Sequence, residues 1–175
     1  MHQKTLILKM KYIKFLFLLA ASITILGCGA YSFTGVKTDA KTFQVNRIEN
    51  NSPLVEPGLD RDFKLALEDL IMNQTNLTLV KSGGDLVYEG EISTYRISPT
   101  TATSQNTAAQ NRLTIGVKIS YYNTQKEDDD LESSFSFYYD YPGSSQLVGG
   151  QKTTAHEEIF ERLTQDIINA TLARW

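Results

Sequence analysis

Cysteine is almost missing from this chain, with one in 175 residues, and histidine occurs only twice. A single thiol, Cys28, closes no internal disulfide and builds no thiolate metal site. His2 sits at the extreme N-terminus, which leaves His156 as the one imidazole within the body of the chain. A zinc site needs at least three suitably spaced ligands, and His156-Glu157-Glu158 offers adjacent side chains that diverge on a helix. That triplet reads as a solvated helix start. No Gly-x-Ser-x-Gly elbow is present to raise a serine nucleophile. Gly83-Gly84 and Gly149-Gly150 have neither the spacing nor the Lys-Ser/Thr pair of a phosphate cradle. Glu127-Asp128-Asp129-Asp130 lacks the spaced oxygens and glycine of a calcium loop, and reads as a charged hairpin tip that resists edge-to-edge association. Positive charge is also in deficit, with 17 Lys and Arg against 20 Asp and Glu, which argues against nucleic acid as a partner. Catalysis, resident metals and cofactors have no visible home.

One long apolar run is present, and it lies at the N-terminus. Lys11 and Lys14 precede Phe15 to Leu26, which contains no charged side chain. The run is shorter than the ~20 residues that span a bilayer, and its layout is that of a secretory signal peptide. It closes on Ile25-Leu26-Gly27-Cys28, which resembles a lipobox. Cleavage between Gly27 and Cys28 makes Cys28 the first mature residue, carrying a covalent lipid and no other prosthetic group. Residues 1–27 are then the signal peptide, 28–41 a small, polar tether, and 42–175 a single domain. The leader's four lysines leave with it, so the mature chain is more acidic than the whole, whose formal net charge is −3. With no thiol to spare, the domain stands on its hydrophobic core.

The domain alternates between two periodicities. Thr42 to Ile48 reads as a first strand with Phe43 and Val45 on one face, followed by the turn cluster Asn50-Asn51-Ser52-Pro53. After Pro57-Gly58, the residues Leu59, Phe63, Ala66, Leu67, Leu70 and Ile71 form one helical stripe, with Asp60 and Asp62 in the first turn. Leu77, Leu79 and Val80 begin an extended segment, interrupted at Ser82-Gly83-Gly84, that resumes with Leu86, Tyr88 and Ile92 on one face. After Thr94 the alternation slips, so that Tyr95 and Ile97 become the apolar set, the signature of a β-bulge. Pro99 to Asn111 reads as a long polar loop. Leu113 to Tyr122 and Leu131 to Tyr141 then alternate cleanly as half-buried antiparallel strands. Ser144 to Thr154 reads as a loop and Ala155 to Trp175 as a helix. The expected fold is α+β, in the order β-α-β-β-β-α, with two helices packed on one face of a mostly antiparallel four-stranded sheet.

Two sets of residues suggest contact with partners. Tyr122 and Tyr138 fall on the wet face of their strands, where tyrosine suits a partner interface. Arg96, Arg112 and Lys118 flank the polar 99–111 segment, where they are placed to pair with phosphates of a lipid headgroup.

Gly27-Cys28-Gly29-Ala30-Tyr31-Ser32-Phe33-Thr34-Gly35 resembles the start of the LptE family of outer-membrane lipopolysaccharide-assembly lipoproteins. The element order, Leu86-Val87-Tyr88-Glu89-Gly90-Glu91-Ile92 and Asn111-Arg112-Leu113-Thr114-Ile115 extend the resemblance over the mature chain. It implies a non-enzymatic protein that plugs and supports a large LptD-like outer-membrane β-barrel and binds lipopolysaccharide. The resemblance further implies a lipid anchor in the outer membrane with the domain facing the periplasm. An accessory lipoprotein of another outer-membrane assembly complex is the alternative, and a periplasmic cell-wall enzyme a more distant one.

Overall fold

Residues 86, 88, 92 and 95 are buried while their neighbours are not, and this parity reports the sheet they build. The computed structural model describes residues 38–102, 108–143 and 145–173, all within one compact unit, Thr34–Trp175. The signal segment, its Gly27-Cys28 junction, the tether up to residue 37 and the tip 103–107 lie outside the described residues. Strand β1 (Thr42–Asn50) leads into helix α1 (Leu59–Gln74) and the two-residue strand β2 (Thr78–Leu79). Strands β3 (Leu86–Ala102), β4 (Ala108–Asn123) and β5 (Leu131–Pro142) follow, and helix α2 (Gly149–Thr171) closes the fold.

The sheet has five strands in the order β2-β1-β3-β4-β5. This corrects the expected four, and the sheet is mixed: β1 runs parallel to both β2 and β3, and only β3-β4-β5 is antiparallel. The missed strand is two residues long, too short for alternation to register. Its pairing is real nonetheless, since the Thr78 N–H donates to the Lys41 carbonyl and the Val80 N–H to that of Phe43. A short edge strand of this kind also leaves little backbone open to another chain.

The expected bulge is present. Ile92 pairs with Val117, yet Thr94 pairs with Gly116, so Ser93 is the extra residue. It carries the inward set from Ile92 to Tyr95, both buried. The polar 99–111 segment, by contrast, is mostly strand: β3 continues to Ala102 and β4 begins at Ala108. Threonine is a good strand former, and cross-strand hydrogen bonds need no apolar bulk. Pro99 is tolerated because β1 stops at the Asn50–Ile92 pair, so no strand waits for a Pro99 N–H on that side.

Both helices pack on the inward face. Leu59, Phe63, Leu67 and Ile71 of α1 are buried, as are Ile159, Phe160, Leu163, Ile167 and Ile168 of α2. Phe63 meets Phe160 edge to face at 5.4 Å between centroids and joins the two helices. Helix α2 begins at Gly149, six residues before the apolar stripe announces it. Glycines and polar residues give its first turns no periodicity, and the Lys152–Glu56 ion pair (2.6 Å) ties them down instead. Tyrosine and threonine hydroxyls within the core are paired: Tyr88 Oη lies 3.1 Å from Thr171 Oγ1, which donates to the Ile167 carbonyl. The pairing matters because an unpaired buried hydroxyl costs stability.

Candidate functional site

With the helices on one side, the other face of the sheet is where strand parity sends the polar residues. Register places Ser98, Arg112 and Asp140 in one row across β3-β4-β5, and Arg96, Thr114 and Tyr138 in the next. Arg96 and Arg112 are therefore diagonal neighbours at the end of the sheet that lies beyond β1. Lys118 is six residues from Arg112 along β4, ~20 Å away at the rise of a strand. The structure brings two of the three candidate cations together and leaves the third apart.

Two of the three are also charge-paired. Arg112 donates from Nε and an Nη to the two oxygens of Asp140, at 2.7 and 2.8 Å. Its guanidinium carbon sits 3.6 Å above the centroid of the Tyr138 ring. Arginine suits this position because a planar fork binds a carboxylate in its plane and an aromatic face above it. The bonds from Arg112 hold the Asp140 carboxyl below the usual range, and Asp140 raises the Arg112 guanidinium in return. Lys118 pairs with Glu132, which raises its ammonium. Arg96 has no ion pair among the described residues, and its row neighbour Thr114 brings no charge.

Asp140 and Glu132 were not singled out from sequence, although a signal existed. Folding β4 and β5 back on each other about Lys126 sets Arg112 opposite Asp140. The hairpin register was legible even though the contact was not written in any motif.

Tyr122 and Tyr138 are exposed, at 41% and 46%, but do not form one patch. Tyr122 pairs with Val87 near the opposite end of β4 from Thr114, the partner of Tyr138. Eight residues of strand separate the two rows, roughly 27 Å.

His156 is placed differently from expectation. Because α2 starts at Gly149, it lies about two turns inside the helix. It is half-buried, with Nε2 3.1 Å from the Tyr95 hydroxyl and its ring stacked against Phe160. Burial lowers its pKa, and burial pushes that of Tyr95 up to about 12, aided by the charge of Glu56. His156 lines an open groove of about 700 Å³ between the helices, together with Phe160, Leu70, Glu56, Asp69 and Glu157. Among the described residues no group of three or more His, Cys, Asp or Glu is placed to hold a metal ion. The ring is engaged in packing against Tyr95 and Phe160.

Comparison with known proteins follows this geometry. The sequence model for LptE, lipopolysaccharide-assembly, matches residues 40–171. No protein of curated function matches the sequence. Among solved structures, the hypothetical protein CT253 of Chlamydia trachomatis is similar with a TM-score of 0.56 at 8% identity, covering 77% of this chain and 99% of that one. The rare lipoprotein B of Shewanella oneidensis has a TM-score of 0.48 at 12% identity, over 73% of this chain and 89% of its own. A minor lipoprotein of Acinetobacter baumannii has a TM-score of 0.47 at 14% identity, over 77% and 94%. At such identities the likeness to CT253 speaks for the fold alone. The family match covers nearly the whole of the described domain, from the residues before β1 to the last residue of α2, and by it the chain belongs to the LptE lipopolysaccharide-assembly family.

Proposed function

We propose that this chain is anchored to the outer membrane by a lipid on Cys28 and seats in an LptD-like β-barrel, which it plugs and supports while assisting lipopolysaccharide assembly. Its family is one of non-enzymatic accessory lipoproteins of lipopolysaccharide assembly. The observation that carries the reading is the family match across the domain. Among the described residues no helix is long and apolar enough to cross a membrane. The lipobox-like Ile25-Leu26-Gly27-Cys28 supports a covalent lipid as the means of attachment.

The outer sheet face supplies the contact chemistry. Of the three candidate cations, Arg96 is the one without an ion pair among the described residues, and it takes a phosphate of the lipid headgroup through the same forked geometry that Arg112 spends on Asp140. Arg112 stands beside it and exchanges Asp140 for phosphate only at the cost of that pair. Lys118, paired and distant, serves a different part of the surface. Tyr122 presents an aromatic face with a polar tip toward the barrel wall, and Tyr138 offers the part of its ring that Arg112 leaves exposed.

The test is gentle detergent extraction of the tagged chain from outer membranes, with identification of every protein that accompanies it. A wash-resistant 1:1 complex with one large β-barrel is the expected result. Recovery alone, or with a multi-lipoprotein barrel-insertion complex, overturns the reading in favour of the accessory-lipoprotein alternative. On the complex, Arg96→Ala is expected to weaken lipopolysaccharide binding more than Lys118→Ala does.

A further inference from the structure

Strand β5 ends the sheet, and among the described residues no strand lies beyond it. Its centre is unguarded. Ser133 to Tyr139 is a run of serine and aromatic residues with no charge, proline or glycine, the composition of segments that add to one another as strands. Proteins usually protect such an edge with a lysine, a bulge or a proline. Here the β4-β5 register runs without a shift from Tyr121–Leu131 to Gln110–Pro142. The only proline stands at the last residue, and the acidic Glu127–Asp130 tip lies at the other end of the strand.

The direction of the free backbone groups follows from one bond. The Thr124 N–H donates to the Asp85 carbonyl, so even-numbered residues of β4 bond toward β3 and odd-numbered ones toward β5. In β5 the odd-numbered residues then face β4. The N–H and C=O groups of Glu132, Ser134, Ser136, Tyr138 and Asp140 point off the sheet.

We propose that this edge pairs antiparallel with β5 of a second copy, about a two-fold axis at Phe137. Pairing must set even residues opposite even ones, both to match the free backbone groups and to keep inward faces together. An axis at Ser136 would oppose Glu132 with Asp140 twice over, and like charges directly opposite destabilise a sheet. Moving the axis to Phe137 removes that conflict. Phe137 then meets its own copy, Phe135 meets Tyr139, Ser136 meets Tyr138 and Ser134 meets Asp140. This is the longest register that sets no carboxylate against another. Phe135, Phe137 and Tyr139 are only half-buried in the single copy, so pairing also covers aromatic surface. The groove beside them, lined by Phe137, Glu158, Glu161, Arg162 and Gln165, carries both signs of charge. The barrel reading puts one copy in each barrel, so the pair is a state of the chain outside that complex.

The test uses the full chain in detergent. Sedimentation velocity of the wild type is expected to show a concentration-dependent dimer. Ser136→Lys, which puts a lysine on the exposed side of the edge centre, is expected to raise the dimer Kd at least tenfold, with a thermal melt equal to that of the wild type when both are measured below the wild-type Kd. Under mild oxidation Phe137→Cys is expected to link two copies rapidly. Ser133→Cys, whose partner in this register is Tyr141, links slowly, and the wild type with Cys28 alone sets the background. A monomer at every concentration, or equal linking at 133 and 137, overturns the proposal. Linking of Phe137→Cys in membranes to a different protein, with the purified chain monomeric, overturns the second-copy assignment in favour of a heterologous strand.

Discussion

A cation on a protein surface acquires its meaning from what stands across the strand. Arg112 looks available in the sequence, but the hairpin delivers Asp140 to its plane and Tyr138 to its face. Arg96, one row away, receives neither. The prediction at this scale concerns Asp140, whose carboxyl is held low chiefly by the Arg112 hydrogen bonds. In Arg112→Ala the Asp140 pKa is expected to rise toward the ordinary carboxylate range, read by NMR titration of the side-chain carboxyl. Arg112→Lys restores only part of the depression, because an ammonium cannot supply the two parallel bonds of the fork. An Asp140 pKa unmoved by Arg112→Ala would show that the pair does not persist in solution.

At the scale of elements, the fold depends on two junctions that periodicity reports unequally. The bulge at Ser93 was legible, because a one-residue slip moves the apolar set between faces. The close approach of β3 to β4 at Gly90 was not: a Cβ there would collide with the Lys118 carbonyl, which is backbone and cannot swing away. Gly90→Ala is expected to cost about 1–3 kcal/mol, the range for overpacking a tight site, measured as a lowered urea midpoint at unchanged slope.

The second junction starts β1. One oxygen of Asp85 accepts the Lys41 and Thr42 N–H groups and the Thr42 hydroxyl, and the Asp85 N–H donates back to that hydroxyl. These bonds, that from the Lys41 N–H foremost, lower the Asp85 pKa from 3.8 to about 2. A depressed carboxylate stabilises the fold fully above its unfolded pKa and loses that contribution as pH falls through the folded one. The thermal midpoint of the wild type should therefore fall between about pH 4 and 2 more steeply than that of Asp85→Asn. Parallel slopes in that window would count against the clasp.

For the molecule as a whole, the proposed function rests on attachment and on surfaces. In cells, palmitate is expected to label the wild type and not Cys28→Ala, whose unprocessed leader should persist as a larger species on gels. Equal labelling of both would remove the lipid from Cys28.

The local pattern of residues determined the two inward stripes, the bulge and the antiparallel β3-β4-β5 alternation, because each is a periodicity carried by neighbours in the chain. Tertiary structure alone decided what depends on residues distant in sequence. It inserted β2 between α1 and β3, where two residues hold their place only through β1. It continued β3 and β4 through a polar stretch whose backbone is satisfied across the hairpin, and drew His156 into the packing of α2 against Tyr95. It also distinguished Arg96, which has no ion pair among the described residues, from Arg112 and Lys118, each paired with a carboxylate of β5. A side chain's type is written in the sequence, but its availability is set by the strand that folds against it.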